Sequence, residues 1–221
     1  MTFEIVIASK NYSSWSLRAW LALEQTGAAY TERLVSTGDP DWHDQVRRLS
    51  PSGKVPLLRD GELEIHDSLA IVEFLHERFP AAGLWPPAEG ARAFARSVAA
   101  EMHSSFHALR ASMPMDIQAD EPGRGTTPEA LADADRIQAI WRECRERFGS
   151  ASGGPFLFGP FTAADCFYAP VVFRFRAYHV PLDATARAYC DALVAEPKVA
   201  KWVAAARREP RVYAQPKGGR S

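Results

Sequence analysis

Hydrophobic and polar positions alternate along this chain with two different periods, and the change falls about a third of the way in. Phe3–Ala8 (FEIVIA) is a mainly apolar, β-branched run, fit for a buried strand. A helix then starts at Ser13 or Ser14 and runs to about Thr26, with Leu17, Trp20, Leu21 and Leu23 apolar and Gly27 as its stop. Tyr30–Val35 alternates weakly and reads as a second strand. Pro40–Leu49 reads as a short irregular helix anchored by Trp42. Leu57-Leu58 and Leu63–Ile65 are strands either side of the turn pair Asp60-Gly61. Asp67–Phe79 follows as a helix with an apolar stripe of Leu69, Ile71, Val72, Phe74 and Leu75. The order βαβ, α, ββ, α predicts a thioredoxin-like α/β domain over residues 1–79.

Residues 80–89, PAAGLWPPAE, carry three prolines and a glycine and read as a linker. Beyond them every long segment has helical periodicity, so residues 90–221 are expected to form an all-α domain. Its helices are placed near 90–119, 128–148, 163–178, 184–194 and 196–206. Gly123, Gly125 and Pro128 separate the first pair, and SASGGP (Ser150–Pro155) the next. Thr162-x-x-Asp165 has the form of a capping box and starts a core helix through Cys166, Phe167, Val171 and Val172. The terminal QPKGGRS is expected to fray.

Composition narrows the function classes. With 221 residues and a formal net charge of −1, acids and bases interspersed, there is no electrostatic case for nucleic acid or an anionic membrane. The start, MTFEIVIASKNYSS, has a short apolar run and no basic leader, so neither a signal peptide nor a membrane span is expected. The cysteines Cys144, Cys166 and Cys190 lack metal-type spacing and read as reduced, buried thiols in a cytoplasmic protein. His103 and His107 stand i, i+4 but have no third ligand, and no metal site is expected.

The most informative stretch is Ser50–Pro80. A Val55-Pro56 step heads a strand, where proline is tolerated and a cis bond is cheap. In the cis form the Val55 backbone would turn outward and pair with an extended peptide. Ten residues on, the Asp67 carboxylate and Ser68 hydroxyl sit at a helix N-terminus, suited to an anionic or zwitterionic group. Together they describe a socket for a small peptide.

At these residues the chain resembles the cytosolic glutathione transferases, nearest the bacterial, serine-type, zeta-like members. The matching pieces are SPSGKVPLL (Ser50–Leu58), HDSLAIVEFL (His66–Leu75), YSSWSLRAWLAL (Tyr12–Leu23) and FTAADCFYAPV (Phe161–Val171). The resemblance implies a glutathione transferase whose co-substrate, glutathione, pairs its cysteinyl backbone with Val55, beside Pro56. Asp67 would meet the γ-glutamyl ammonium, Ser68 its carboxylate, and Lys54 the glycyl carboxylate, with His43 or Gln45 assisting. The thiolate-stabilising serine falls on Ser13, with Ser14 next and Tyr12 as a third candidate; each serine also fits a plain helix cap.

Where maleylacetoacetate isomerases of the zeta type carry cysteine this chain has Trp15, and it reads Leu-Arg-Ala-Trp for their Trp-Arg-x-Arg. These departures bear on isomerase activity and on the acceptor pocket rather than on the fold. That pocket, for a small hydrophobic electrophile, is expected between helix one and a stripe of Met102, His103, Phe106, Leu109, Arg110 and Met113, with Tyr12 and Trp15 across from it. The same stripe also fits interdomain core, and Arg110 an exposed salt bridge. A homodimer is implied by the resemblance. Rival functions are a glutathione-dependent isomerase or peroxidase, and a non-catalytic interaction protein on the same fold.

Overall fold

A computed structural model of the chain describes residues 2–212, so the expectation for residues 215–221 lies outside the described residues. Its first part runs β1 (Phe3–Ala8), α1 (Ser14–Thr26), β2 (Tyr30–Val35), α2 (Trp42–Leu49), β3 (Leu57–Asp60), β4 (Leu63–His66) and α3 (Ser68–Arg78). The strands form one sheet in the order β2-β1-β3-β4. β1 and β2 are parallel, joined through α1, while β1 with β3 and β3 with β4 are antiparallel. This is the thioredoxin-like arrangement the pattern predicts.

Strand alternation divides β1 between two faces. Ile5 and Ile7 join Leu58, Leu17, Leu21 and Ile71 in the large core under α1 and α3. Val6 points the other way, onto Val35, Val46 and Leu57 beneath α2. Both faces are covered from Ile5 to Ala8, which is why the strand reads as apolar there, while Glu4 near its start pairs with Arg59.

The helical part comprises α4 (Glu89–Ser104), α5 (His107–Ser112), α6 (Pro128–Cys144), α7 (Ser150–Ser152), α8 (Ala163–Tyr178), α9 (Ala184–Ala195) and α10 (Pro197–Ala206). The single helix expected over 90–119 is therefore corrected to two, of 16 and 6 residues. Phe106 interrupts it in the left-handed region (φ 63°), where a bulky side chain is strained. Arg110 compensates by donating to the carbonyls of Ser105 (2.9 Å) and Met102 at the end of α4. Pro128 proves to be the first residue of α6, behind the capping hydroxyl of Thr127.

α8 lies at the centre of this part, buried along almost its whole length. Its tyrosines tie it to its neighbours: Tyr168 donates to Val98 O in α4 and Tyr178 to Pro114 O in the loop after α5, each at 3.0 Å. α1 packs against both α3 and α8, and one apolar core runs without a break from Phe3 to Trp202. No helix among the described residues is long and apolar enough to cross a membrane.

Candidate functional site

The turn from β1 into α1 builds one wall. Ser13 is the N-cap: its Oγ accepts from Ser16 N–H (3.3 Å) and donates to Ser16 Oγ (2.7 Å). Ser16 Oγ in turn accepts from Ala8 N–H at 3.1 Å, tying the end of β1 to the first turn of the helix. Ser14, the first helical residue, makes no side-chain hydrogen bond among the described residues, and it lines a cavity of about 830 Å³. Ser13, Tyr12 and Trp15 line the same cavity. The Tyr12 hydroxyl is occupied, accepting from Val212 N–H and donating to Val212 O.

The facing wall comes from the peptide socket. The Val55-Pro56 bond is cis. Lys54, Val55 and Pro56 line the cavity, as do Asp67 and Ser68 at the start of α3. Asp67 has φ 76°, a strained setting for a non-glycine residue and one that clusters at functional sites. One carboxylate oxygen caps Leu69 N–H at 2.7 Å, and the other lies 3.3 Å from His103 Nε2. Ser68 Oγ is buried with no hydrogen-bond partner among the described residues, at the helix end where an anion is favoured. Capping thus falls to Asp67, and the Ser68 hydroxyl is left without a partner among the described residues.

The structure gathers Tyr12, Ser13, Ser14, Trp15, Lys54, Val55, Pro56, Asp67 and Ser68 around one space, but three expected pocket residues are elsewhere. Met102, Phe106 and Met113 are buried in the continuous core and line no part of this cavity. For these three the interdomain-core reading replaces the pocket reading. The break at Phe106 puts His103 and His107 on different helices. Of the stripe, His103 reaches the cavity, its ring edge-on to Trp15 at 5.2 Å. His43 lines the opposite side, stacked on Trp42, whereas the Gln45 amide turns back to Asp41 at 2.8 Å.

Electrostatics favours the start of α1. Arg18 lies wholly buried one turn below Ser14, its guanidinium 4.4 Å from the Trp15 ring centre and 5.2 Å from that of Phe167. Arg110 lies 5.0 Å from the same indole. No ion pair of Arg110 is found among the described residues; its bonds go to carbonyls, which corrects the exposed salt bridge expected of it. Burial, chiefly, lowers the pKa of His103, with Asp67 opposing and Arg18 and Arg110 reinforcing, so its ring is neutral at pH 7.

The cysteines offer no competing nucleophile. All three are buried, and burial pushes their thiols up, Cys190 to about 12. Sequence reading passed over Arg18. Its one signal is an arginine enclosed by apolar neighbours, Leu17, Ala19 and Trp20, where an exposed helix face would show further polar residues.

The family model described as the glutathione S-transferase N-terminal domain matches residues 12–78, and that for the C-terminal domain matches residues 118–205. Together the two cover more than half of the chain. A probable maleylacetoacetate isomerase of Vibrio cholerae is 38% identical over 100 residues, 44% of this chain and 46% of that protein. A probable glutathione S-transferase of rice, DHAR2, is 27% identical over 75% of this chain and 51% of its own length. The chain thus spans about half the length of these two relatives. A maleylpyruvate isomerase of Ralstonia is 29% identical over 78% of this chain and 85% of its own length.

Among solved structures, a bacterial zeta-class maleylpyruvate isomerase superposes with a TM-score of 0.71 at 23% identity, covering 96% of this chain and all of that one. A Burkholderia glutathione transferase homolog with bound glutathione gives 0.69 at 21% identity, covering 94% and 98%. These two likenesses concern the fold. With both family models matched in order along it, the chain belongs to the glutathione S-transferase family.

Proposed function

We propose that this protein is a glutathione transferase that joins the glutathione thiolate to a small hydrophobic electrophile. One observation carries the reading: a single cavity is lined by the first turn of α1, the Val55-Pro56 step and the Asp67-Ser68 helix start. Glutathione lies along Val55 by main-chain hydrogen bonds, in the manner of an added strand. Its ammonium meets the Asp67 carboxylate, its γ-glutamyl carboxylate meets Ser68 and the N-terminal amides of α3, and Lys54 approaches the glycyl carboxylate.

The sulfur then points to the start of α1. A free thiol is mostly protonated near neutrality, and only the thiolate is strongly nucleophilic. The positive helix end and a serine hydroxyl stabilise that anion. Ser14 is the better donor, because the proton of Ser13 is already given to Ser16. The acceptor reaches the sulfur from the side of Trp15 and His103, and positioning supplies the rest of the rate. In this reading the protein acts in the cytoplasm, as a homodimer, in detoxification.

Calorimetry with glutathione and turnover of a model aryl halide test the proposal. Binding with conjugation is the expected result; absence of both favours a non-catalytic interaction protein. A second reading, a glutathione-dependent isomerase, draws support from the relatives named for maleylacetoacetate and maleylpyruvate, and from the cations beside Trp15. Turnover of maleylacetone without conjugation of aryl halides selects it, and turnover of hydroperoxides selects a peroxidase.

A further inference from the structure

Arg18 presents the largest unmet polar demand in the described structure: it is fully enclosed, and none of its three guanidinium nitrogens has a hydrogen-bond partner among the described residues. Arg174 on α8 is equally buried but donates to Met113 O (2.8 Å) and Pro170 O (3.5 Å). Buried charges are ordinarily paired in this way, because an isolated one is expensive. The two aromatic rings beside Arg18 offset part of the cost and leave its charge uncancelled.

Its place on α1 says where that charge acts. Ser14 and Arg18 are i, i+4 on one helix and share a face. Long helical side chains lean toward the N-terminus, so the guanidinium lies back beneath the first turn. Trp15, which covers it, lines the cavity together with Ser14. The charged and titratable groups facing Arg18 are Asp67 from the start of α3, His103 from α4, Arg110 from α5, and Arg174 and Tyr168 from α8. Of these Asp67 is the one acid, set against the guanidinium groups of Arg18, Arg110 and Arg174. Tyr168 stays protonated through burial. The balance is positive, and the indole keeps water from screening it.

We propose that Arg18 supplies the fixed positive charge that holds glutathione as its thiolate at the start of α1, acting through the Trp15 ring rather than by contact with the sulfur. This rests on the transferase reading above and adds a charge-supplying residue behind the serines. It also accounts for an arginine that is unfavourable to the fold where it sits.

The test uses the full chain with Arg18→Met and Arg18→Lys, and titrates the ultraviolet absorbance of the thiolate in the glutathione complex. In the wild type the bound thiol ionises below the free thiol. Arg18→Met is expected to raise that pKa by about one unit, lowering kcat/KM about tenfold near pH 6.5, with the difference closing in alkali. Arg18→Lys keeps most of the ionisation. Thermal stability of Arg18→Met should match or exceed the wild type, because an unpaired buried charge is removed.

An unchanged thiol pKa in folded Arg18→Met overturns the inference and leaves the transferase reading intact. So does a loss of stability with a flat ratio of rates across pH. If Arg18→Met fails to fold, Arg18→Gln is read by the same titration. A wild-type complex whose thiol ionises no earlier than free glutathione overturns the inference, and absence of glutathione binding overturns the transferase reading with it.

Discussion

Three serines within four positions divide the start of α1 between them. Ser16 is wholly buried and ties strand to helix, Ser13 caps, and Ser14 keeps its hydroxyl unspent at the cavity. Ser14→Ala should therefore lower kcat about 10- to 100-fold, the worth of one hydrogen bond to a charged group, with little change in thermal midpoint. Ser13→Ala should do the reverse, costing about 1 kcal/mol of stability as a lost cap and sparing much of the rate. Steady-state kinetics paired with denaturant titrations separates the two, and full activity in Ser14→Ala would return the role to Ser13.

Ser68 gives a complementary case. Its buried hydroxyl lacks a protein partner, so Ser68→Ala should leave the free protein at least as stable while raising the KM for glutathione about tenfold at unchanged kcat. That both serine groups stand at helix starts was legible, because helix-start hydroxyls after a strand are a local signal, and the structure places Ser13, Ser14 and Ser68 along one cavity. The division of labour was not, since it depends on where the backbone of Ala8 arrives, a contact between elements.

Elements were legible wherever periodicity and a cap agreed. β1 and β2 stand where their apolar patterns put them, and α8 opens on the predicted Thr162–Asp165 capping box. The failure was at Phe106. Residues 90–119 keep an apolar stripe through the break, and no glycine or proline marks it. The kink is held instead by Arg110 folding back on the last carbonyls of α4, a device invisible to pattern.

The capping box carries a prediction of its own. Asp165 accepts from Leu157 N–H, Thr162 N–H, Thr162 Oγ and Tyr189 Oη, yet burial outweighs these bonds and raises its pKa from 3.8 to about 6. Between those values the folded chain binds more protons at this site than the unfolded one, so stability falls as pH rises through the window. The contribution is about 3 kcal/mol, complete above pH 6. Asp165→Asn removes this slope while leaving one backbone donor, Leu157 N–H or Thr162 N–H, unmatched. Urea titrations across pH should show the wild-type curve descending between about 4 and 6 relative to a flatter, lower variant; parallel curves would refute the assignment.

At the scale of the molecule, the site depends on both parts of the chain being docked. Every cavity-lining residue but one lies between Ala8 and Ser68; the exception is His103 on α4, whose imidazole reaches Asp67 and Trp15. Beneath them α1 is packed on α3 and α8 at once, and the apolar core does not divide at the linker. The sequence suggested a boundary at residues 80–89 because prolines cluster there, but no local pattern reports whether the flanking cores fuse. Fused cores predict one cooperative unfolding transition, with calorimetric and van't Hoff enthalpies equal. A ligand held only by the docked state must then stabilise the whole chain. Glutathione at about 100 times its Kd should add about 2.7 kcal/mol and raise the midpoint of a chain this size by about 5–10 °C as a single peak. Two resolved peaks, with the ligand moving one of them, would mean that the two parts unfold separately and that His103 contributes nothing to holding the peptide.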